Sequence, residues 1–252
     1  MANHSATGAL ECQALIIDLD GTLVDTVGDF EVALNRTFAD LDLPSVSRTA
    51  VARTVGKGSE HLIRTLLAEQ LALPEVRGLG QVCPARSVDA LYGPAWRQYQ
   101  QHYHAINGQF SDVFPGVLAG LQALRARGLP LACLTNKPLA FARALLQAKE
   151  LDGYFQHVFG GDSFERKKPD PLPLLKTCEA LGTAPARTVM VGDSQNDALA
   201  ARAAGCSVVL MTYGYNHGEP VRGVDADGFA DTMTAVAAGL TAQRQNQPRK
   251  EG

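Results

Sequence analysis

Short apolar runs of strand length alternate along the chain with longer segments that have helical periodicity. The strand-length runs cover residues 14–17, 129–134, 157–159, 188–191 and 207–211. Apolar residues three and four apart, the spacing of an α-helix, cover residues 117–127, 139–149, 172–181 and 197–204. A chain of this pattern folds into βαβ units with helices on both faces of a parallel sheet. The sequence therefore predicts an α/β protein with a Rossmann-like parallel sheet core.

One long segment interrupts this alternation. Between Asp25 and about Phe110 the apolar residues follow only the helical period, at 30–39, 60–71 and 88–104. The simplest interpretation is a helical cap domain inserted after the first strand, with the chain crossing near 25–27 and 110–114. We therefore predict a catalytic core and a cap, divided as follows: core 1–24 and 111–242, cap 25–110.

Two segments are assigned to neither helix nor strand. The polar tail 243–252 is expected to be disordered, and residues 78–84 are interpreted as a loop in the cap.

Length and composition exclude several classes of protein. The chain has 252 residues, of which 46% are hydrophobic and 19% charged, a globular balance that needs no disulfide or metal merely to fold. A net charge of -3 argues against nucleic-acid or anionic-membrane partners. Five cysteines without a C-x-x-C pair favour a reducing compartment. With neither a secretory pattern nor an apolar run of about 20 residues, a cytoplasmic location is expected.

Polar side chains stand where each predicted strand ends or in the loop that follows it. In open α/β sheets, ligands bind outside the carboxyl ends of the strands, so these side chains are expected to converge. Loops are usually polar, which would explain any single polar residue at a strand end but explains poorly why polar residues follow the strands as a set. The candidate site residues are Asp18, Asp20, Thr135, Asn136, Lys168, Asp193 and Asp197.

The charges of this set favour a divalent cation. Asp18, Asp20 and Asp193 would carry three negative charges in one pocket, and unit charges about 4 Å apart repel by roughly 4 kcal/mol at an effective dielectric of 20. A single lysine, Lys168, cannot offset that repulsion when a phosphate dianion must also enter. Because all these ligands are oxygen atoms, Mg²⁺ is the predicted ion.

The same residues suit phosphoryl transfer. A carboxylate such as Asp18 is a competent nucleophile that forms an aspartyl-phosphate. Thr135, Lys168, Mg²⁺ and the loop amides after Asp18 would neutralise the equatorial oxygens. Asp20 could protonate the leaving alcohol and later deprotonate the attacking water; the alternative is an N-cap or an Asx-turn.

Four motifs, in order, carry a family resemblance: DLDGTLVD (18–25), TN (135–136), KP (168–169) and GDSQND (192–197). They resemble the motifs of the haloacid-dehalogenase superfamily, and the helical insertion looks like its first cap type. The resemblance spans about residues 14 to 230. It implies that Asp18 is the nucleophile and a Mg²⁺ ligand, that Asp20 is the acid/base and binds the metal through its carbonyl, and that Asp193 is the third ligand.

The resemblance also assigns the remaining polar residues. Thr135 and Lys168 would bind phosphoryl oxygens, with Lys168 fitting the lysine-proline motif better than Lys167. Asn136 is a further substrate-binding candidate, and Asp197 would orient the metal's ligands or waters.

A narrower resemblance, to the bacterial phosphoglycolate phosphatases, rests on LTNKP (134–138), KKPDP (167–171), TYGYNHGE (212–219) and GKG (56–58). It implies hydrolysis of 2-phosphoglycolate to glycolate and phosphate. Gly56 and Lys57 lie before a predicted helix, where free N–H groups hold anions. We hypothesise that they bind the substrate's carboxylate; a turn with a solvated lysine is the alternative. The segment 213–216 is a candidate to pack under the active-site loops.

Other functions remain compatible with this pattern. They are a phosphatase of another small phosphomonoester or of pyrophosphate, a phosphosugar mutase, a dehalogenase and a non-catalytic phosphate-binding module. A dehalogenase needs no metal and lacks the second aspartate, so Asp20 argues against it. The expected partner is a small phosphate ester. The sequence is compatible with both a monomer and a homodimer.

Overall fold

The computed structural model describes residues 10–74, 76 and 87–242. The tail at 243–252 and the loop assigned to 78–84 lie outside the described residues. The described strands are, in chain order, β1 (Leu10–Cys12), β2 (Ala14–Ile17), β3 (Val24–Asp25), β4 (Asp112–Val113), β5 (Leu131–Leu134), β6 (His157–Phe159), β7 (Thr188–Gly192), β8 (Ser207–Met211), β9 (Gly228–Ala230) and β10 (Leu240–Ala242).

Helices fill most of the remaining described chain. They are α1 (Val27–Ala39), α2 (Arg48–Thr54), α3 (Ser59–Leu71), α4 (Val88–Ile106), α5 (Val117–Ala126), α6 (Leu139–Ala148), α7 (Leu172–Leu181), α8 (Gln195–Ala204) and α9 (Met233–Gly239). Helices α7 and α8 end at Gly182 and Gly205, whose φ angles of 67° and 79° lie in the left-handed region that glycine adopts without strain.

The central sheet has six strands in the order β6-β5-β2-β7-β8-β9, all parallel. Strand β2 lies between β5 and β7, with Ile17 in register with Cys133 on one side and Val191 on the other. The predicted α/β fold with a parallel sheet is therefore confirmed, and the ends of β2, β5 and β7 lie side by side.

Helices cover both faces of this sheet because successive side chains of a strand point to opposite faces. Leu15 and Ile17 of β2 belong to a buried cluster that also contains residues of α5, α6 and α9. Ala14 and Ile16 belong to a second cluster, with residues of α7 and α8. All four residues of β2 are completely buried, which explains why this strand reads as a continuous apolar run.

A third buried cluster is formed by residues of α1 to α4 and their connections. Between Val27 and Ile106 the described residues form helices and connections, as the periodicity predicts. Helix α2 was not expected, because its seven residues are fewer than the periodic pattern needs. It begins after Ser47, whose side chain accepts a hydrogen bond from Ala50 N.

The chain leaves and re-enters the core through a short antiparallel pair, β3 and β4, in which Asp25 lies opposite Asp112. The buried carboxylate of Asp29, at the start of α1, accepts hydrogen bonds from Gly108 N and Phe110 N, both at 2.7 Å. The outgoing and returning segments are thus tied together close to the predicted crossing points, and the division at 25–110 stays a prediction.

Candidate active site

The predicted site residues meet at the carboxyl edge of the sheet. Asp18 follows β2, and its N–H continues the strand pairing by donating to Val191 O at 2.9 Å. Thr135 follows β5 and donates from its N–H to Phe159 O at 3.0 Å. Asp193 follows β7. All three side chains are buried, so the strand ends place them within a protected site rather than on the surface.

Lys168 is the cation of this site. Its Nζ lies 3.0 Å from Asp18 Oδ1 and 2.6 Å from Asp197 Oδ1, and it donates to Leu134 O at 2.9 Å. Burial alone would lower the pKa of Lys168, but the two carboxylates raise it above its usual value. Lys167 is exposed, so of the two adjacent lysines it is the one before proline that enters the site.

Three carboxylates form a cluster that fits a divalent cation. One oxygen from each of Asp18, Asp193 and Asp197 lies within 4.8 Å of the others. Burial raises the pKa of Asp18 to about 7, against the lowering effect of Lys168, and the charges of Asp197 and Asp20 add to the rise. Burial and the carboxylates of Asp197 and Asp18 raise the pKa of Asp193 well above its usual value.

Asp18 Oδ1 is the clearest ligand position in this cluster. It is buried and accepts no hydrogen bond from the described residues; its contact with Lys168 is an ion pair only. Several carboxylate oxygens at this spacing are the ligands that Mg²⁺ takes in proteins. The residues present therefore fit the predicted ion.

Asp193 is held firmly by its surroundings. Its Oδ1 accepts from Thr22 Oγ1 at 3.2 Å, and its Oδ2 accepts from Tyr215 N at 2.7 Å. A Cβ at Gly21 would come within 2.2 Å of Asp193 Oδ2, and one at Gly214 within 2.1 Å of Asp193 Cβ. Only glycine fits this closely, so both loops that flank the carboxylate depend on their glycines.

Asp197 uses both oxygens in contacts within the protein. Its Oδ1 pairs with Lys168, and its Oδ2 accepts from Asp193 N, Ser194 N and Ser194 Oγ at 3.0 to 3.2 Å. These bonds form a capping box at the start of α8. Asp197 therefore positions Lys168 and the backbone of Asp193.

Asp20 lies in the site, but its carboxylate faces another partner. Asp20 Oδ1 is 2.8 Å from Nζ of Lys137, and both side chains are buried. The three-carboxylate cluster thus contains Asp197 in addition to Asp18 and Asp193, while the side chain of Asp20 pairs with a lysine. Its place in a metal site, through the carbonyl, stays a prediction.

A small cavity lies between the sheet edge and the helices that precede Ile106. It is lined at one end by Asp18, Asp20 and Thr135 and at the other mainly by residues of α1, α3 and the loop before α3. Its volume is about 20 Å³, room for about one or two water molecules. Its further lining residues are Phe30, Val55, Gly56, Gly58, Ser59, Leu62, Asn136 and Lys137.

Of the two predicted cap-loop residues, Gly56 and Lys57, only Gly56 lines the cavity. Gly56 lines the cavity, and its carbonyl accepts from Asn136 Nδ2 at 2.9 Å. Asn136 also donates to Lys168 O at 2.9 Å, so it joins the loop to the sheet edge. The side chain of Lys57 is exposed and does not line the cavity. The N-terminus of α3 begins at Ser59 without a side-chain cap.

Sequence reasoning missed two contributors. Lys137 lines the cavity; the LTNKP motif contains it, but the pattern assigns it no role. The segment 213–216 does contact the active-site loops, as expected: Tyr213 donates to Thr22 O at 2.7 Å and Tyr215 N binds Asp193. The further bonds of Tyr215 Oη, which donates to Asp25 Oδ1 and accepts from Thr26 N, were not foreseen.

The sheet brings a buried carboxylate cluster and a lysine to its carboxyl edge, where ligands bind in open α/β sheets. The sequence model that describes the family of haloacid dehalogenase-like hydrolases matches residues 12–205 of this chain. The chain therefore belongs to this family of enzymes.

Bacterial phosphoglycolate phosphatases match most of the chain. The one from Thiobacillus denitrificans is 39% identical over 232 residues, 92% of this chain and 97% of that protein. The plasmid phosphoglycolate phosphatase of Cupriavidus necator is 41% identical, over 95% of this chain and 97% of its own. The crystal structure of a predicted phosphoglycolate phosphatase from Haemophilus somnus superposes with a TM-score of 0.82 and 31% sequence identity. The superposition covers 90% of this chain and 97% of that chain.

These relatives place the chain among the phosphatases of the family. Among the described residues, no helix combines the length and the apolar character that a membrane span requires.

Proposed function

We propose that the protein hydrolyses 2-phosphoglycolate to glycolate and phosphate through a phosphoryl group carried on Asp18. The observation that carries this proposal is the buried cluster of Asp18, Asp193 and Asp197, in which Lys168 contacts Asp18 and Asp197 and Asp18 also lines the adjoining cavity. The names of the relatives support phosphoglycolate as the ester.

In the first step, Asp18 attacks phosphorus while the bond from phosphorus to the glycolate oxygen breaks. Asp20 donates its proton to that oxygen. Thr135 and Lys168 bind phosphoryl oxygens and neutralise the charge that develops on them. In the second step, Asp20 takes a proton from water, which attacks phosphorus and releases phosphate from Asp18.

Asp18, Asp193 and the carbonyl of Asp20 would hold Mg²⁺. When bound, Mg²⁺ supplies positive charge that lets carboxylates and a phosphate dianion occupy one site. Asp197 would act on this site by holding Lys168 and the backbone of Asp193.

The loop before α3 supplies the contact for the other end of the substrate. Phosphoglycolate has a carboxylate two carbons from its phosphate. The backbone of Gly56 and the uncapped N-terminus of α3 lie along the cavity, and helix N-termini attract anions.

A phosphate-release screen of small phosphomonoesters and pyrophosphate, with and without Mg²⁺, tests the proposal. We expect phosphoglycolate to have the highest kcat/KM. We expect EDTA to lower activity by at least about 10³-fold, since several kcal/mol of charge stabilisation depends on the metal, and added Mg²⁺ to restore it. Phosphate release unchanged by EDTA would contradict the proposed need for Mg²⁺. Turnover of a sugar phosphate without release of phosphate would favour a mutase.

Replacing Lys57 by alanine tests whether its side chain contributes to substrate binding in addition to the backbone of this loop. Because the Lys57 side chain is exposed and outside the cavity lining, we expect Lys57→Ala to change kcat/KM for phosphoglycolate by less than about threefold, the range of surface substitutions. Steady-state phosphate release measures this. A large loss of kcat/KM for phosphoglycolate, and for no other ester, would mean that the Lys57 side chain does bind the substrate.

A further inference from the structure

Lys137 places a buried ammonium group in the cavity, and the mechanism does not use it. Only 1% of its side chain is exposed. Its Nζ lies 2.8 Å from Asp20 Oδ1, 4.3 Å from the centre of the Phe30 ring and 4.9 Å from the centre of the Tyr103 ring. The backbone of Lys137 follows β5 of the sheet, whereas the two rings belong to α1 and α4. The ammonium therefore lies between the sheet edge and the inserted helices.

This ammonium has unused hydrogen-bonding capacity. A lysine has three donors, and within the residues that the structure describes Asp20 is the one acceptor bonded to Nζ of Lys137. Aromatic faces attract the charge but do not replace strong acceptors. A buried charge gains from each further acceptor it can reach, so an anionic group entering the cavity would find a donor already in place.

The cavity is arranged for an ester with two anionic ends. Asp18 and Thr135 lie at the end where a phosphoryl group would be attacked, and Lys137 and Ser59 line the same cavity. The N-terminus of α3, which begins at Ser59, adds partial positive charge there. No second buried cation besides Lys137 lines this cavity among the described residues.

We propose that Lys137 binds the second anionic group of the substrate and thereby selects phosphomonoesters whose alcohol carries a nearby carboxylate. This inference rests on the proposed function and deepens it, because it assigns the carboxylate of phosphoglycolate to a named side chain. The ammonium keeps its contact with Asp20 on one side and takes the carboxylate on the other.

The test compares two esters that differ only at that end: 2-phosphoglycolate, and ethyl phosphate, in which a methyl group stands where phosphoglycolate has its carboxylate. In Lys137→Met we expect kcat/KM to fall for both esters, because Asp20 loses its buried partner. The loss should be about 10- to 100-fold larger for phosphoglycolate than for ethyl phosphate, the worth of a charge-assisted hydrogen bond. Lys137→Arg should retain the preference. Lys176→Met, which removes an exposed lysine of α7, is the matched control.

A binding measurement gives a second readout that does not depend on turnover. In the background of Asp18→Asn, calorimetry should show that adding Lys137→Met weakens the binding of phosphoglycolate more than the binding of ethyl phosphate. If Lys137→Met fails to fold, as thermal unfolding would show, Lys137→Gln replaces it, since its amide can still bond Asp20.

Equal losses for both esters would overturn the inference, because they would mean that Lys137 acts through Asp20 on every substrate. An unchanged preference in Lys137→Met would overturn it as well. Neither result touches the proposed function, which fails instead if the unmodified enzyme does not prefer phosphoglycolate to ethyl phosphate.

Discussion

Asp18→Asn will abolish phosphate release while the protein stays folded. The amide has the same shape as the carboxylate but cannot attack phosphorus, and losing a nucleophile costs about 10⁴-fold or more in turnover. Folding is expected to persist because Lys168 keeps its partner Asp197 at 2.6 Å, and a neutral amide is easier to bury than the carboxylate, whose pKa burial raises to about 7.

Phosphate release and thermal unfolding, measured on the same sample, test this expectation. Asp152→Asn makes the same chemical change at an exposed position and should leave both quantities unchanged. Substantial turnover by Asp18→Asn would refute covalent catalysis by this residue, and an unfolded variant would refute the expected tolerance of the amide.

Lys168→Met will reduce both activity and stability. The substitution leaves Asp18, Asp193 and Asp197 buried without the ammonium that contacts two of them at 2.6 and 3.0 Å. Removing one partner of a buried ion pair costs about 3–5 kcal/mol of unfolding free energy. Loss of a cation that stabilises phosphoryl charge lowers kcat by about 10²- to 10³-fold.

The unfolding free energy of Lys168→Met should be measured with and without Mg²⁺. We expect Mg²⁺ to restore part of the lost stability, because the ion binds the folded carboxylate cluster and not the unfolded chain. Lys167→Met is the matched control one residue away, at an exposed position, and should be close to the unmodified enzyme. Equal effects of the two substitutions would mean that the burial of Lys168 has no consequence.

The strand ends were predictable because each buried strand reads as an apolar run that stops at a polar residue. Residues 14–17 form β2 over the predicted range, so Asp18 was placed correctly from periodicity alone, and parallel pairing then brought Thr135 and Asp193 beside it. Lys168 was distinguished from Lys167 by its proline, and the structure buries Lys168 while Lys167 is exposed.

What the sequence could not supply were contacts between distant parts of the chain. Asp20 and Lys137 are 117 positions apart, and although the LTNKP motif contains Lys137, it does not show that this lysine reaches Asp20. The bonds of Asp29 to Gly108 and Phe110 join positions 79 and 81 residues away. The paired strands β3 and β4 have two residues each, too few for an alternating pattern.

The small volume of the cavity has a consequence for turnover. A space of about 20 Å³ is smaller than a glycolate ester, so binding of the proposed substrate here requires the residues that line the cavity to move apart. If that movement limits turnover, as it does in many enzymes with closing elements, turnover should slow as solvent viscosity rises.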